Sequence, residues 1–255
     1  MSSAATATVC LTFDVDAEAG LGPDVGPERL SSHSERRFGI TRGLPRILDL
    51  LERLEARGTF YVPGATVERH PEAIRAIVER GHEVGHHGHN HLDEHELTPD
   101  EARAEIELGL RALAAIGVVP KGYRSPSWEL TETTLGLLHE HGFAYDSSCM
   151  GDDRPYFEGP PDRRILELPV HWSLDDWPFF GAGPARPAGD VRPWLETWQA
   201  ELEQAVDDAR LVTLTMHPEI VGRGYRLRAL AAWLIELRER GIRFATHEDA
   251  AAGLS

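Results

Sequence analysis

Cysteine is nearly absent: Cys10 and Cys149 are the only two among 255 residues. That excludes a disulfide framework and any four-thiolate metal site, and both thiols are expected reduced and buried. Long apolar runs are missing too, so no segment approaches the length of a membrane span. The opening Met-Ser-Ser-Ala-Ala-Thr-Ala-Thr has no basic leader region, which with Met1 as the native start makes a cytoplasmic protein the expectation. Basic residues are in deficit, 26 Lys+Arg against 42 Asp+Glu, and the net charge of −16 excludes non-specific nucleic-acid binding. A glycine-rich phosphate loop is lacking where a nucleotide fold would carry it, after the first apolar run; the chain there reads Phe13-Asp14-Val15-Asp16-Ala17-Glu18. What is present is 41% hydrophobic and 27% charged residues with 24 Gly and 17 Pro, the composition of a globular chain with a sizeable core. The length suits one large α/β barrel, which runs to roughly 250 residues, or two ordinary domains.

Five segments follow one pattern, a helix-period stretch, a glycine and a short apolar run. They are Arg57-Gly58-Thr-Phe-Tyr-Val, Arg80-Gly81-His-Glu-Val, Ile116-Gly117-Val-Val, His141-Gly142-Phe-Ala-Tyr and Arg240-Gly241-Ile-Arg-Phe-Ala. Each glycine is expected to end a helix in the left-handed region and hand over to a strand. Leu44, Ile47, Leu48, Leu51 and Leu54 form one helix face behind Pro45, and Thr98-Pro99-Asp100-Glu101 is a capping box opening a helix through Ile106, Leu110 and Leu113. Two more helices are expected over Arg192 to Ala209, with Trp194, Trp198 and Leu202 inward, and over Arg226 to Arg240, with Leu227, Leu230, Leu234 and Leu237 inward. Strands are expected near Thr8–Phe13, Thr59–Val62, Glu83–His86, Ile165–Val170 and Leu211–Thr215. Alternation of this kind implies parallel strands with right-handed crossovers, in an open sheet or a barrel. Ala19–Thr41, Cys149–Pro161 and Pro178–Gly189 break the pattern and read as long loops, hence walls of a substrate site.

The polar residues of interest fall at the C-terminal ends of these strands, where barrel enzymes place their chemistry. Asp14, Asp16 and Glu18 alternate as the first strand ends, and the period of two puts all three carboxylates on one face, an arrangement that a shared cation relieves. Six of the 13 histidines, His82, His86, His87, His89, His91 and His95, lie within 14 residues. The four-residue offset of His87 and His91 sets two imidazoles on one side of a helical turn, with His86/Asn90 and His91/His95 as rival registers. Nitrogen donors with a carboxylate suit Zn²⁺, Co²⁺ or Ni²⁺ better than Mg²⁺ or Ca²⁺. Farther on stand Tyr123-Arg124-Ser-Pro126-Ser-Trp128, His171-Trp-Ser-Leu-Asp175-Asp176-Trp177-Pro and Thr215-Met216-His217-Pro218. His217 is placed to act as a general acid, and Arg124 to pair with a carboxylate beside an aromatic wall.

With these motifs assembled, the chain resembles the polysaccharide deacetylase superfamily, the NodB-homology or carbohydrate esterase family four fold. Thr12-Phe13-Asp14-Val15-Asp16 is similar to its first motif, Gly81 to His91 to its second, Tyr123 to Trp128 to its third, Asp175-Asp176-Trp177 to its fourth and Thr215 to Pro218 to its fifth. The resemblance implies a distorted (β/α) barrel over residues 1–255 as a single domain. It further implies one divalent ion, zinc first with cobalt or nickel as alternatives, held by Asp16, His87 and His91. Asp14 is then the base, His217 the acid supported by Asp176 or Asp175, and Arg124 the residue that orients Asp14. Trp128, Trp177 and Glu18 are expected to meet substrate, with Trp172 extending the aromatic wall. Val15 between the two aspartates and Gly88 after the first histidine depart from most members. Both resemble a branch holding Helicobacter-type peptidoglycan-deacetylase-like proteins and cyclic imide hydrolases, with allantoinases also similar. The expected reaction is metal-assisted hydrolysis of a non-peptide C–N bond, in a small cyclic imide or amide first and an N-acetylated sugar second. A homo-oligomer is expected, with neither a nucleic-acid nor a membrane partner. A non-catalytic metal- or carbohydrate-binding protein is the remote alternative.

Overall fold

The computed structural model describes residues 7–22, 25–181 and 190–254. Four of the five pattern glycines end their helices in the left-handed region: Gly81, Gly117, Gly142 and Gly241 all have φ between 73° and 82°. Gly58 does not. The left-handed turn there falls on Glu55 at φ 47°, and Gly58 is required instead by close packing, since a Cβ would lie 2.9 Å from the Leu11 carbonyl oxygen. Strands β1 (Thr8–Asp14), β2 (Thr59–Val62), β3 (Glu83–His86), β4 (Gly122–Tyr123) and β5 (Tyr145–Asp146) come first in the chain. They are followed by β6 (Tyr156–Glu158), β7 (Ile165–Glu167), β8 (Leu211–Met216) and β9 (Arg243–Ala245). The segment after Gly117 does not pair at Val118-Val119, and the strand forms later, at β4; β7 stops at Glu167 rather than Val170.

The sheet runs β6-β7-β5-β4-β3-β2-β1-β8, with β9 against the start of β1. Every pairing is parallel except β6 with β7, as helix-linked strands require. The curl is completed without a full strand. After β7 the chain returns to β8 through one parallel bridge, Asp175 with Thr215, and Asp176 N–H donates to the Thr215 carbonyl at 3.1 Å. The result is a curled, distorted barrel of mixed sheet flanked by helices, a single domain. Parallel strands put all their C-terminal ends at one mouth, so Asp14, His87, Arg124, Ser147 and His217 converge although they are far apart in sequence.

The helices that clamp this barrel follow their apolar faces. Leu44–Arg53 buries Leu44, Ile47, Leu48 and Leu51, and Pro99–Ala114 opens with the full Thr98/Glu101 capping box. Val191–Asp208 buries Trp194 and Trp198, whose rings meet edge-on at 4.8 Å. Trp198 Nε1–H donates to the Ser173 carbonyl at 3.0 Å, which fixes the turn leading into Asp175 and Asp176. Ala19–Thr41 is not a plain loop. It holds a short 3₁₀ turn, Ala17–Leu21, and a helix, Leu30–Phe38, whose polar sequence has no apolar stripe to announce it. Of Pro178–Gly189, residues 178–180 complete a short helix from Trp177, and 182–189 lie outside the described residues. No described helix is long and apolar enough to cross a membrane.

Candidate metal and catalytic site

Asp14 is the last residue of β1, and Asp16 follows after one extended residue, so both carboxylates enter the mouth. The alternation ends there. Ala17 turns at φ 48° into the 3₁₀ turn, and Glu18 is carried away to His70 Nε2 at 2.7 Å and Arg69 at 4.0 Å. Glu18 therefore lines a neighbouring hollow rather than the central cavity, contrary to the expected substrate contact.

His87 and His91 do not share a helical turn. They sit on the loop after β3, bent by Gly88 at φ 68° and by His91 itself at φ 56°, and their rings meet edge-on at 5.0 Å. A side chain at Gly88 would press on Pro126 at 3.3 Å as well as strain that φ, which accounts for glycine at this position. His87 Nε2 lies 3.5 Å from Asp16 Oδ1, and His91 Nε2 lies 3.5 Å from Asp16 Oδ2. The rival registers are spent elsewhere. His86 is buried with Nε2 against the Ile106 carbonyl, Asn90 bonds Glu105, and His95 pairs with Asp93 at the surface.

This trio fits a divalent cation. Its donor atoms all lie within 4.8 Å of one another, and Asp16 Oδ1 is buried with no hydrogen-bond partner. His87 Nδ1 is bonded to the Arg124 carbonyl at 2.7 Å, so Nδ1 carries the proton and Nε2 keeps a lone pair facing Asp16. Burial opposes ionisation of Asp16, but positive charge around it, from His91, His217 and Arg36, prevails and holds its pKa below the usual carboxylate range.

Arg124 is fully buried and anchors the other aspartate. Its Nη1 donates to Asp14 Oδ1 at 2.7 Å and Thr12 Oγ1 at 2.9 Å, while Nε and Nη2 donate to the Ser147 carbonyl and hydroxyl at 3.0 and 2.9 Å. The guanidinium lies over the Tyr61 ring, 4.2 Å from its centroid. Asp14 keeps Oδ2 free of this pair, 4.0 Å from His87 Nε2.

Across the cavity, His217 Nδ1 meets Asp176 Oδ1 at 2.7 Å, with Asp175 Oδ1 farther off at 3.6 Å. Asp176 also accepts the His217 backbone N–H. Burial alone would lower the His217 pKa, but Asp176 and then Asp175 raise it well above the ordinary value. Asp175 is pushed up to about 7 by burial, with Asp176 adding to the rise. Trp128, Trp172 and Trp177 line the same cavity of about 600 Å³, Trp128 and Trp172 lying 4.4 Å apart. Ser127 and Trp128 both adopt positive φ, 56° and 58°, backbone strain of the kind that collects at sites.

A residue without a sequence signal completes the wall. Arg36, from the unannounced helix, donates to Glu219 Oε1 at 2.5 Å and to the Gly20 carbonyl at 3.0 Å. It lies 3.9 Å from Asp16 Oδ2 and 5.0 Å from the Trp177 ring centroid.

A family model described as polysaccharide deacetylase matches residues 3–145. The chain belongs to the polysaccharide deacetylase family. Among relatives of this family, a peptidoglycan deacetylase of Helicobacter pylori is 30% identical over 253 residues, covering 84% of each chain. A solved structure from Mycobacterium smegmatis, described as a polysaccharide deacetylase, superposes with a TM-score of 0.92 at 36% identity, over 99% of this chain and 91% of that one. An allantoinase shares the fold, with a TM-score of 0.85 at 21% identity over 99% and 92% of the two chains. The barrel described above is thus the distorted (β/α) barrel of the polysaccharide deacetylase family, a family of hydrolases acting on C–N bonds.

Proposed function

We propose that the protein is a metal-dependent hydrolase of small cyclic imides or amides. The observation that carries this reading is Arg36, a charged donor on the cavity wall 3.9 Å from Asp16 Oδ2. The cavity, of about 600 Å³, has room for a small ring between Arg36 and the wall of Trp128, Trp172 and Trp177.

Asp16, His87 and His91 would hold one divalent ion, zinc by the donor set, which supplies polarisation of the scissile carbonyl and acidification of water. Asp14 takes the proton of that water on Oδ2 as the water oxygen bonds to the carbonyl carbon, while Arg124 holds Oδ1 and so fixes the direction of attack. His217, kept protonated by Asp176, gives its Nε2 proton to the nitrogen as the C–N bond breaks. Arg36 presents guanidinium N–H groups on the wall next to Asp16, where the second carbonyl of an imide would find a donor.

A second reading, N-deacetylation of an acetylated sugar, is favoured by the half-exposed Trp172 packed at a tilt against Trp128, a surface for a sugar ring, and by the name of the Helicobacter relative. Hydrolysis by zinc-loaded protein of succinimide and of an N-acetylglucosamine oligomer, each with a chelator control, separates the two. Chelator-sensitive opening of succinimide supports the imide reading, and acetate release from the oligomer alone overturns it.

A further inference from the structure

Strand register places Asp146 and Glu167 side by side on β5 and β7, and both are fully buried. One oxygen of each is satisfied. Glu167 Oε1 accepts the backbone N–H groups of Ser148 and Cys149 at 2.9 and 3.0 Å, and Asp146 Oδ1 accepts the Ser148 hydroxyl at 2.9 Å. The remaining oxygens, Asp146 Oδ2 and Glu167 Oε2, are buried without a partner. Among the described residues neither carboxyl takes part in an ion pair. An oxygen of Asp146 and one of Glu167 lie within 4.8 Å of each other, and two bare buried anions that close are untenable, so a proton or a cation must lie between them.

We infer that Asp146 and Glu167 share one proton, with Glu167 Oε2–H donating to Asp146 Oδ2, and that the pair is a positioning device for Asp14. The path is continuous in hydrogen bonds. Glu167 and Asp146 hold the backbone and hydroxyl of Ser148, whose Oγ accepts Ser125 N–H at 2.8 Å. Ser147, locked between these two residues and bonded to Tyr123 through its backbone, supplies both oxygens that receive Arg124 Nε and Nη2. Arg124 then fixes Asp14. Burial raises the pKa of both carboxyls, and Asp146 pushes Glu167 higher still, which assigns the proton to Glu167. Cys149 Sγ lies in the same cluster, and burial keeps it a thiol.

The functional half of this inference rests on Asp14 as base, and the test separates the two. Glu167→Gln puts an N–H where the shared proton lies and keeps the acceptor for Ser148 and Cys149. Its thermal stability and kcat stay at the wild-type level, while the infrared difference spectrum loses the carbonyl band of a protonated carboxyl. Glu167→Ala frees the Ser147 loop and lowers kcat roughly 10- to 100-fold, with KM and bound zinc unchanged. Absence of the protonated band, a large gain in Tm in Glu167→Gln from relieved repulsion, or loss of a second bound ion in that variant overturns the shared proton. An Asp14→Asn variant that keeps its turnover, with the band still present, defeats the base assignment and leaves the proton pair standing.

Discussion

Two polar clusters built around histidine invite comparison, one at the mouth of the barrel and one deeper inside, and both combine the ring with carboxylates and hydroxyls. In the deeper one every group is answered. His247 bonds Tyr61 Oη at 2.7 Å and Thr213 Oγ1 at 3.2 Å, and Thr59, Tyr145 and the Glu248 backbone all donate to Glu83. Burial, with Arg124 adding, holds the His247 pKa well below the ordinary value, so the ring stays neutral. At the mouth, His217 faces two aspartates and is held protonated, and Asp16 keeps a buried oxygen that nothing answers. The difference teaches that polarity in a core does not mark a site. Unanswered acceptors, crowded charge and strained backbone do when they meet around an open cavity.

Substitutions in the two clusters sharpen that contrast. The largest effect is expected for His87→Ala, which should lose bound metal and at least roughly 10³-fold in kcat/KM together, read by metal analysis and kinetics. Asp14→Asn should retain metal and lose about 10²- to 10⁴-fold in kcat. Arg36→Met should keep metal and raise KM for an imide about 10-fold, the loss of one charge-assisted hydrogen bond. In the deeper cluster His247→Ala should leave kcat unchanged and cost about 1–3 kcal/mol in denaturant unfolding, because Tyr61 loses its buried partner.

The smallest effect concerns pH. His82, buried beneath β2, accepts the Gly58 N–H, and burial with Arg80 and Arg57 lowers its pKa to about 4. The unfolded chain, with a histidine pKa near 6.5, binds the extra proton between pH ~6.5 and ~4. Its stabilising contribution is therefore complete above that window and lost as pH falls through it. Wild type should lose a few degrees of Tm relative to His82→Gln over that range.

Much of the mouth was legible because its residues follow the strongest apolar runs. Asp14, His87, Arg124 and His217 each sit at the end of, or directly after, a strand, and Asp16 lies two residues past one. The errors have local causes. Strand periodicity continued past Asp14 puts Glu18 on the face of Asp16, but Ala17 turns the chain there. The offset of His87 and His91 imitates a helical turn, yet Gly88 and His91 bring the rings together through positive φ. Arg36 went unseen because its helix is polar all round, and the partnership of Asp146 with Glu167 is set by register between a two-residue and a three-residue strand.

The most direct test of the contrast is calorimetric titration of zinc into metal-free wild type, Asp16→Asn and His247→Gln. One ion per chain in wild type and in His247→Gln, and none in Asp16→Asn, is the predicted result. An ion retained by Asp16→Asn, or a second ion in wild type, would contradict it.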